Sequence, residues 1–557
     1  MPGRATQWAT TLTDGPPEGS GRRSSTSPDH AGLVLATLIL VAAVANLNLA
    51  VANVALPDIG THFDASQTGL DVVAVGYSLG LAASVLWLGA VGDRHGRKLM
   101  IVLGMGLSIP ASIVAAWAPS IGVLTVARLV GGVSAGMAFP TTLALITALW
   151  AGPARTKSIA LWSAIGGGFS ALGPLAAGAM LEVAWWGSVF LLTLPLAVLA
   201  IVLALRVLPA HINESTDPVD NLGGVLSVVM VSTVVLAISL APAPGKLPLA
   251  LGVGAIALAA GVAFVIRQRA AAFPLYDLDI AGRRLFWVAA VGGIVVFGSL
   301  MGAMFVGQQF LQNVAGYSPI EAGAAILPAV VMMVIAAPRS ARLVHSIGSR
   351  ATLLIGYGFT FLGFLTMLFF WDEGTGYEWV ALAYALVGLG VGFAGTPASN
   401  SLTGSVPVTR AGMASGTADL QRDLGGAIMQ SALGALLTAG YAKAFGDLIA
   451  SAPSAEQALV TDEVEQELLK SFSSAENTAE NYPRYSDEII AAAEQSFVQG
   501  QRWAYAAGAI AVALGGLLIA TKYPRHARER ELLDEYHRID AAAGVGGDVE
   551  GGDEDDR

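Results

Sequence analysis

Cysteine is absent from the sequence, and charged side chains make up only 13% of its 557 residues. Without cysteine the chain has no disulfide, no thiolate metal ligand and no cysteine nucleophile. Its seven histidines are scattered, without HExxH or a comparable ligand spacing. A soluble domain carries about 25% charged residues, so this chain has too little polar surface for a soluble protein of its length. We expect no metal site and no cofactor.

Apolar residues make up 54% of the chain, and its mean hydropathy is +0.63. A run of about 20 apolar residues crosses a bilayer as one helix. Such runs lie near residues 35–57, 72–92, 99–118, 121–149, 158–181, 186–207, 221–242, 248–266, 286–312, 322–344, 351–371, 379–402, 411–440 and 502–521. We therefore predict an all-α membrane protein with fourteen transmembrane helices, in groups of six, two and six.

The distribution of lysine and arginine predicts the orientation. With an even number of spans both termini share one side, and the segments on that side hold most of the 30 basic residues. The short loops on the other side hold only Lys246. Because basic loops stay in the cytoplasm, we predict cytoplasmic termini in the plasma membrane. The first apolar run is too long for the core of a signal peptide, so we predict none.

The predicted spans divide the chain into parts. These are a disordered cytoplasmic tail (1–33), an N-terminal six-helix bundle (34–207), two extra transmembrane helices with linkers (208–285), a C-terminal six-helix bundle (286–521) and a cytoplasmic tail (522–557). The C-terminal bundle includes a long outer loop, 441–501, that carries most of the net charge of −11. We predict a solvated charged loop here. The helical spacing of Val464, Leu468, Leu469 and Phe472 leaves a short amphipathic helix as the alternative.

The loop between spans 2 and 3 has the sequence Gly89-Ala-Val-Gly92-Asp93-Arg94-His95-Gly96-Arg97-Lys98. It resembles the G-x-L-x-D-R-x-G-R-K signature of the major facilitator superfamily. Gly92 and Gly96 permit a tight turn, and Asp93 can form a charge-assisted pair that latches two helices. A loop that only sets topology would need the basic residues but neither the glycines nor Asp93. We predict that Gly89, Gly92, Asp93, Arg94, Gly96, Arg97 and Lys98 form a conformational switch.

Span 4 contains the segment Arg128-Leu-Val-Gly131-Gly132-Val-Ser134-Ala-Gly136. It resembles the R-x-x-Q-G-x-G-A-A pattern of the same superfamily, with Gly131 at the glutamine position. A charge inside a span is costly unless it meets a partner or water. The resemblance implies a role for Arg128 in proton transfer, and an arginine that extends to the interface is the alternative.

Span 5 contains Gly166-Gly-Gly168-Phe-Ser-Ala-Leu-Gly173-Pro174-Leu-Ala-Ala-Gly178. It resembles the antiporter motif that ends in G-P-x-x-G-G, with Ala177-Gly178 at the final pair. Glycines allow close helix packing, and proline bends a helix because it lacks a backbone donor. Among exchangers, resemblance to this motif implies export, with Gly168, Gly173, Pro174 and Gly178 as its residues.

Fourteen spans with these motifs resemble the drug:proton antiporter branch of the superfamily, which has two extra central helices. Further matches are Asn53-Val-Ala-Leu-Pro57, Gly316-Tyr-Ser-Pro319-Ile-Glu-Ala-Gly323, Gly412-Met-Ala-Ser-Gly416 and Arg422-Asp-Leu-Gly-Gly426. The resemblance covers roughly residues 35–521. It implies a multidrug exporter that confers antibiotic resistance. The sequence has no visible nucleophile–base set, phosphate-binding loop or metal cluster, so we predict no enzyme activity, and we predict a monomer. The expected partners are small amphiphilic substrates, protons and the lipid bilayer, with no nucleic acid. Two bundles would rock about a midplane site.

Proton coupling needs a group that can be protonated inside the membrane. The branch usually has an acid five residues before the Asn-Val-Ala-Leu-Pro segment, where this chain has Asn48. Span 13 offers Asp419 and Asp423, which share a helical face, with Arg422 beside them. Buried membrane charges are usually functional, although a closed ion-pair network is the alternative. Asp71, at the outer start of span 2, is a weaker proton-coupling candidate.

Polar and aromatic side chains inside the spans are candidates for a substrate cavity. They are Asn46, Asn48, Tyr77, Gln308, Gln309, Gln312 and Asn400. Hydrogen bonding between helices explains such amides equally well. Two other functions stay open, namely a dedicated exporter of one metabolite or lipid, and a membrane receptor or scaffold that kept the fold without transport.

Overall fold

A computed structural model of the chain describes residues 30–150, 152–210, 218–241, 245–407, 411–453, 457 and 460–549. Within these ranges the regular secondary structure is all helix, which confirms the all-α fold class. Side chains are described except at residues 152, 153, 155–157, 160, 163–171, 411, 412, 415 and 543–549. The predicted tail 1–33 lies almost wholly outside the described residues, and its predicted disorder stays a prediction.

The first nine described helices cover the N-terminal part and the central insertion. They are α1 (Ala31–Phe63), α2 (Gln67–His95), α3 (Arg97–Ala116), α4 (Ile121–Leu149), α5 (Gly152–Leu181), α6 (Ser188–Leu191), α7 (Leu194–Val207), α8 (Asn221–Leu240) and α9 (Leu247–Ala270). The C-terminal part follows with α10 (Leu278–Ala281), α11 (Arg284–Asn313), α12 (Pro319–Ala324), α13 (Leu327–Ile347), α14 (Ser349–Phe370), α15 (Tyr377–Gly404), α16 (Ala411–Ser451), α17 (Asp462–Lys470), α18 (Phe472–Asn481), α19 (Ser486–Lys522) and α20 (His526–Val549).

Twelve helical segments in the described part of the chain are long and apolar enough to cross a membrane. The protein is therefore a multi-pass membrane protein. The other two predicted spans, near 158–181 and 411–440, lie in helices α5 and α16. Of α5, only Leu172–Leu181 counts as a described apolar helix. The number fourteen stays a prediction.

Two predicted spans are interrupted by a short break. The span near 186–207 divides into α6 and α7, and the span near 322–344 divides into α12 and α13. In both cases a proline lies in the first turn of the second helix, Pro195 in α7 and Pro328 in α13. Proline has no backbone N–H and is tolerated best in a first helical turn, which explains where the new helices begin.

Corresponding glycines join helices in the two parts of the chain. Gly96 lies between α2 and α3 with φ of 110°, and Gly348 lies between α13 and α14 with φ of 87°. Positive φ is accessible to glycine at little cost. The tight turn predicted at Gly96 therefore has a counterpart in the C-terminal part. We call the face that carries these two turns the inner face, following the predicted orientation.

Helix α8, the first of the two predicted extra helices, packs across α2 and α16 and so contacts both halves of the protein. Its Ser239 hydroxyl lies 3.0 Å from the Ser431 hydroxyl of α16, and Val235 packs with Val75 and Ala427. At the inner end, the buried Asp220 carboxylate accepts a hydrogen bond of 2.9 Å from the Arg267 guanidinium. Helix α8 is thus fixed to both halves and to α9.

The long outer loop contains two short helices, α17 and α18, which we call the outer cap. Lys470 Nζ lies 2.5 Å from Asp64 Oδ2, in the connection between α1 and α2. Ser471 Oγ donates to the Ala65 carbonyl at 2.8 Å, and Asn477 Nδ2 donates to the Thr61 carbonyl at 3.1 Å. The prediction of a solvated loop is therefore wrong for this segment, which forms two helices packed against α1 and the α1–α2 connection.

The Lys470–Asp64 contact withstands mild acidification. Burial acts to raise the pKa of the Asp64 carboxyl, but hydrogen bonds from Lys470 and Ser474 and the Lys470 charge outweigh it and lower the pKa. A carboxyl with a lowered pKa stabilises the folded form above its unfolded pKa of about 4, and this contribution disappears as the pH falls through the lower folded value. The contact thus persists at pH values well below neutral.

Replacing Lys470 with alanine is expected to loosen the outer cap. The buried Ser473 contacts Gly60 of α1, so Ser473→Cys in this cysteine-free chain reports cap opening by its reaction with a maleimide. Since an exposed or partly exposed pair contributes up to about 1 kcal/mol, we expect labelling roughly fivefold faster in the Lys470→Ala background. Lys443→Ala, which removes an exposed pair with Asp447, is the matched control. Equal labelling rates of Ser473→Cys in the parent, Lys470→Ala and Lys443→Ala backgrounds would show that the Lys470–Asp64 contact does not hold the outer cap in place.

The C-terminal helix α20 docks on the inner face of the C-terminal half. Arg283 donates to the Ser405 carbonyl at 2.7 Å and forms an ion pair of 2.5 Å with Asp540. Glu529 accepts a hydrogen bond of 3.2 Å from the Ser349 backbone. Most of the segment predicted as a tail, 522–557, is thus a helix held by the ends of α11, α14 and α15.

Candidate functional site

A cluster of charged side chains lies in the inner third of α16. Asp423 is 2% exposed and Asp419 is 8% exposed. Arg422 Nε lies 3.2 Å from Asp423 Oδ1, and Asp423 Oδ2 has no hydrogen-bond partner among the described residues. The structure thus brings together the three groups that the sequence placed on this helix. One carboxylate oxygen is left without an internal donor.

The α16 cluster reaches across to the N-terminal half. The Arg422 guanidinium lies over the ring of Phe139 in α4, 4.7 Å from its centroid. A cation over an aromatic face is stabilised by the ring quadrupole. Phe139 was not among the sequence candidates, because an aromatic residue in a span is more often a packing residue. The contact places the charged cluster at the boundary between the two halves.

A second buried charge, Arg128 of α4, lies on the N-terminal side of this boundary. Its Nη1 donates to the Asn48 carbonyl at 2.6 Å. Its guanidinium carbon lies 4.9 Å from the Tyr77 ring centroid and 5.6 Å from the Phe190 centroid. Arg128 is 3% exposed, so it is not an arginine that extends to the interface.

Close packing of α2 against α4 fixes the position of Arg128. A Cβ on Gly132 would lie 2.1 Å from the Tyr77 carbonyl oxygen, and a Cβ on Gly76 would lie 3.3 Å from the Arg128 Cβ. Only glycine allows two backbones to approach this closely. The glycines of the span-4 motif therefore hold Arg128 beside Tyr77, whose hydroxyl donates to the Ala45 carbonyl at 3.1 Å.

Tyr77 packs against the Arg128 guanidinium on the N-terminal side of the boundary. Asn48, where the branch usually has an acid, contributes no charge. Its amide oxygen accepts a hydrogen bond of 3.0 Å from Thr193, and its amide nitrogen donates to the Val44 carbonyl at 3.2 Å. Asn46 is also buried and has an interaction partner.

Asp71 is fully buried near the outer end of α2 and belongs to a polar cluster between the halves. Gln67 Nε2 lies 3.2 Å from Asp71 Oδ1 and 2.8 Å from Gln309 Oε1 of α11. Thr438 of α16 donates to Asp71 Oδ2 at 3.4 Å. Sequence analysis missed Gln67 and Thr438. Gln67 could have been found from its position four residues before Asp71 on the same helical face.

The other cavity candidates have different surroundings. Gln308 Nε2 donates to the Ala322 carbonyl at 2.7 Å, and Gln312 Nε2 donates to the Val54 carbonyl at 2.9 Å. Both bonds join neighbouring segments, which is the packing role given as the alternative. Asn400 is exposed near the inner end of α15. These three residues are not brought to Arg128 or Asp423 by any hydrogen bond in the described part of the chain.

The switch motif is held within the N-terminal half. Asp93 pairs with Arg97 at 2.9 Å, and Arg97 donates to the Ala144 carbonyl of α4 at 3.3 Å. Lys98 Nζ donates to the carbonyls of Leu205 and Leu208, at 2.9 and 2.7 Å. Gly92 packs against Met100 and Thr141, Gly89 has open space around it, and Arg94 has an interaction partner. The motif therefore ties the α2–α3 turn to the inner ends of α4 and α7.

The antiporter motif of α5 packs closely against α1 and, through its backbone, against α12 of the other half. A Cβ on Gly173 would lie 2.9 Å from the Ala50 Cβ in α1. A Cβ on Gly178 would lie 2.3 Å from the Pro319 carbonyl oxygen, and one on Gly323 of α12 would lie 2.4 Å from the Pro174 carbonyl oxygen. Gly168 lies outside the residues whose side chains are described. The outer ends of α5 and α12 thus touch through their backbones.

The described residues contain no group of three or more His, Asp or Glu side chains arranged to hold a metal ion.

A family model described as Major Facilitator Superfamily matches residues 38–429. The match spans the switch motif, the span-4 and span-5 motifs and the charged cluster of α16.

Relatives with curated descriptions align with most of the chain. The chain is 32% identical to the multidrug efflux pump LfrA of Mycolicibacterium smegmatis, over 74% of this chain and 82% of that protein. It is 31% identical to the drug efflux pump JefA of Mycobacterium tuberculosis, over 85% of this chain and 94% of that protein.

Among solved structures, the chain resembles a bacterial homologue of the human lysosomal transporter Spinster in an inward-facing, unoccupied conformation. The TM-score is 0.59 and the identity 16%, over 90% of this chain and 98% of that chain. At this identity the likeness concerns the fold alone.

Proposed function

Because this chain belongs to the major facilitator superfamily, we propose that it exports chemically different amphiphilic compounds in exchange for protons. Members of this family are transporters and not enzymes. The proposal therefore concerns the compounds that the chain transports and the ion gradient that drives their transport. Two relatives that share about 30% identity over most of their length are named as a multidrug efflux pump and a drug efflux pump. These names support export of several compounds.

The observation that carries proton coupling is the cluster of the buried Asp419 and Asp423 with the partly buried Arg422. A carboxylate inside a membrane protein is costly unless it has a partner or a function, and here two carboxylates lie beside one arginine, which pairs with Asp423. Protonation of one aspartate releases Arg422 from part of its attraction and changes its contact with Phe139 across the boundary. Binding and release of a proton are thereby linked to the relative position of the halves.

The backbone contacts between α5 and α12 supply the second element of an alternating-access cycle. With these outer ends together, substrate would load from the inner side. Release on the outer side requires them to separate, together with the contacts of Gln67 and Gln312 across the boundary. Asp71, which bonds to Thr438 of the other half, is a further proton-coupling candidate because its protonation would weaken this closure.

The proposal also includes the membrane, the orientation and the oligomeric state of the protein. The excess of lysine and arginine on the side of the termini supports cytoplasmic termini, and export places the chain in the plasma membrane. We propose a monomer, because each element of the cycle lies within one chain.

Proton movement in everted vesicles tests the proposal. We expect proton release from the acidified lumen when cationic ethidium is added, and again with the chemically unlike, neutral N-phenyl-1-naphthylamine. Vesicles without the protein are the control. A response to only one of many unlike compounds would favour a dedicated exporter. If none of the compounds causes proton release although the protein is correctly inserted in the vesicles, transport by proton exchange is contradicted.

A further inference from the structure

Arg128 presents one edge of its guanidinium without a partner. Nη1 donates to the Asn48 carbonyl, whereas Nε and Nη2 are buried and have no hydrogen-bond partner among the described residues. The Nε–H and one Nη2–H are parallel donors on the same edge of the planar group. This edge matches the two oxygens of a carboxylate or of a sulfonate or phosphate group.

The charge of Arg128 also has no acidic partner in its own half. Residues 34–207 contain only the acids Asp58, Asp64, Asp71, Asp93 and Glu182. Arg128 forms no ion pair with any described residue of the chain, and residues 163–171, whose side chains are not described, include no acid. The aromatic faces of Tyr77 and Phe190 stabilise a cation weakly compared with a carboxylate.

We propose that Arg128 binds an anionic group on the exported compound, so that the substrates include amphiphiles with a carboxylate, sulfonate or phosphate. This inference rests on the proposed export function and adds a substrate class to it. The free Nε–Nη2 edge holds the two oxygens, while Tyr77 and Phe190 pack on the guanidinium. The residue at position 48 determines whether anionic substrates are preferred. The neutral Asn48 leaves the positive charge of Arg128 available to the substrate, whereas an acid at this position would neutralise that charge within the protein.

Binding can be measured without transport, using two ligands that share one apolar chain. Laurate is anionic at about pH 8, well above the pKa of a carboxylic acid, and methyl laurate is neutral. The apparent affinity of the purified protein for each follows from the ligand dependence of its unfolding temperature, monitored by tryptophan fluorescence. The variants are Arg128→Gln, Arg128→Lys and Asn48→Asp, with Arg269→Gln at an exposed position of α9 as the charge-matched control.

We expect laurate to bind the parent and the Arg269→Gln control alike, and to bind Arg128→Gln about tenfold or more weakly because two charge-assisted hydrogen bonds are lost. Arg128→Lys keeps the charge but not the two-donor edge, so its affinity should be intermediate. Asn48→Asp should also bind laurate about tenfold more weakly. Methyl laurate should bind all variants equally, which reports an intact site.

Equal binding of laurate by the parent and Arg128→Gln, with methyl laurate still bound, would overturn the anionic site. Unchanged laurate affinity in Asn48→Asp would overturn the role of position 48. Because neither measurement depends on proton movement, either failure leaves the export proposal standing. Conversely, laurate binding that depends on Arg128 in a protein that moves no protons would retain the anionic site and reject the exchange mechanism.

Discussion

Replacing Asp423 with asparagine is expected to abolish uphill export driven by a proton gradient. The side chain is buried in the inner third of α16 and pairs with Arg422 at 3.2 Å. An amide of the same size keeps a hydrogen-bond acceptor for Arg422 but cannot take up or release a proton. If Asp423 carries the coupling proton, proton-driven export should fall about a hundredfold, the order found when a proton-transfer group is removed.

Loss of folding is the competing explanation for an inactive Asp423→Asn variant, because breaking a buried ion pair from one side costs about 3–5 kcal/mol. Here the amide oxygen of the substituted side chain can still accept a hydrogen bond from Arg422, which also keeps its contact with the Phe139 ring. Movement of ethidium down its own gradient separates the two explanations. We expect this downhill movement to persist in Asp423→Asn, since it needs the conformational change but no proton.

A matched control is available on the same helix. Asp447 is an exposed acid near the outer end of α16, paired with Lys443 at 3.1 Å, and Asp447→Asn removes the same charge without touching the cluster. Its uphill export should equal that of the parent. If Asp423→Asn retained proton release on addition of ethidium, the proton carrier would lie elsewhere, and Asp419→Asn and Asp71→Asn would be the next variants to measure.

Local patterns in the sequence predicted the parts of the site that lie on one helix. The four-residue spacing of Asp419 and Asp423 placed them on one face, and both are buried beside Arg422. Arg128 was identified as a functional candidate because a charge inside a membrane span is costly, and its side chain is indeed buried, with 3% exposure. The glycines around position 96 predicted a tight turn, and Gly96 has a positive φ. In each case the cause acts within a few residues of the chain.

Partners that come from distant helices could not be predicted in this way. The contact of Arg422 with Phe139, and the bonds of Asp71 with Gln67 and Thr438, depend on how the two halves pack. A polar residue does not reveal from its neighbours in sequence which helix it will face. The same limit applies to Lys470, whose partner Asp64 is about 400 positions away along the chain.

Replacing Gly178 with valine is expected to prevent closure of the outer side. A Cβ at this position would lie 2.3 Å from the carbonyl oxygen of Pro319 and 2.7 Å from the Cα of Ile320, both backbone atoms. The Ser318–Glu321 capping box fixes this first turn of α12, so the turn cannot easily move aside. Helices α5 and α12 must then separate at their outer ends.

The expected size of the effect follows from the cost of overpacking. An inserted side chain costs about 1–3 kcal/mol where a packed contact cannot relax. This corresponds to roughly a 5- to 150-fold shift in the ratio of closed to open forms. Export needs both forms, so it should fall by about the same factor. The folded structure should survive, because each half keeps its own internal packing.

Accessibility from the outer side distinguishes a blocked closure from a simple loss of activity. Val54 of α1 is fully buried, and its carbonyl accepts from Gln312 across the boundary, so Val54→Cys should react slowly with a membrane-impermeant maleimide. Adding Gly178→Val should speed this labelling, whereas Ala179→Val, at the adjacent exposed position, should change neither labelling nor export. Slow labelling together with full export in the Gly178→Val variant would show that the α5–α12 contact is not needed for the cycle. Fast labelling with lost export would instead identify this contact as the outer closure that the exporter must make and break in each turnover.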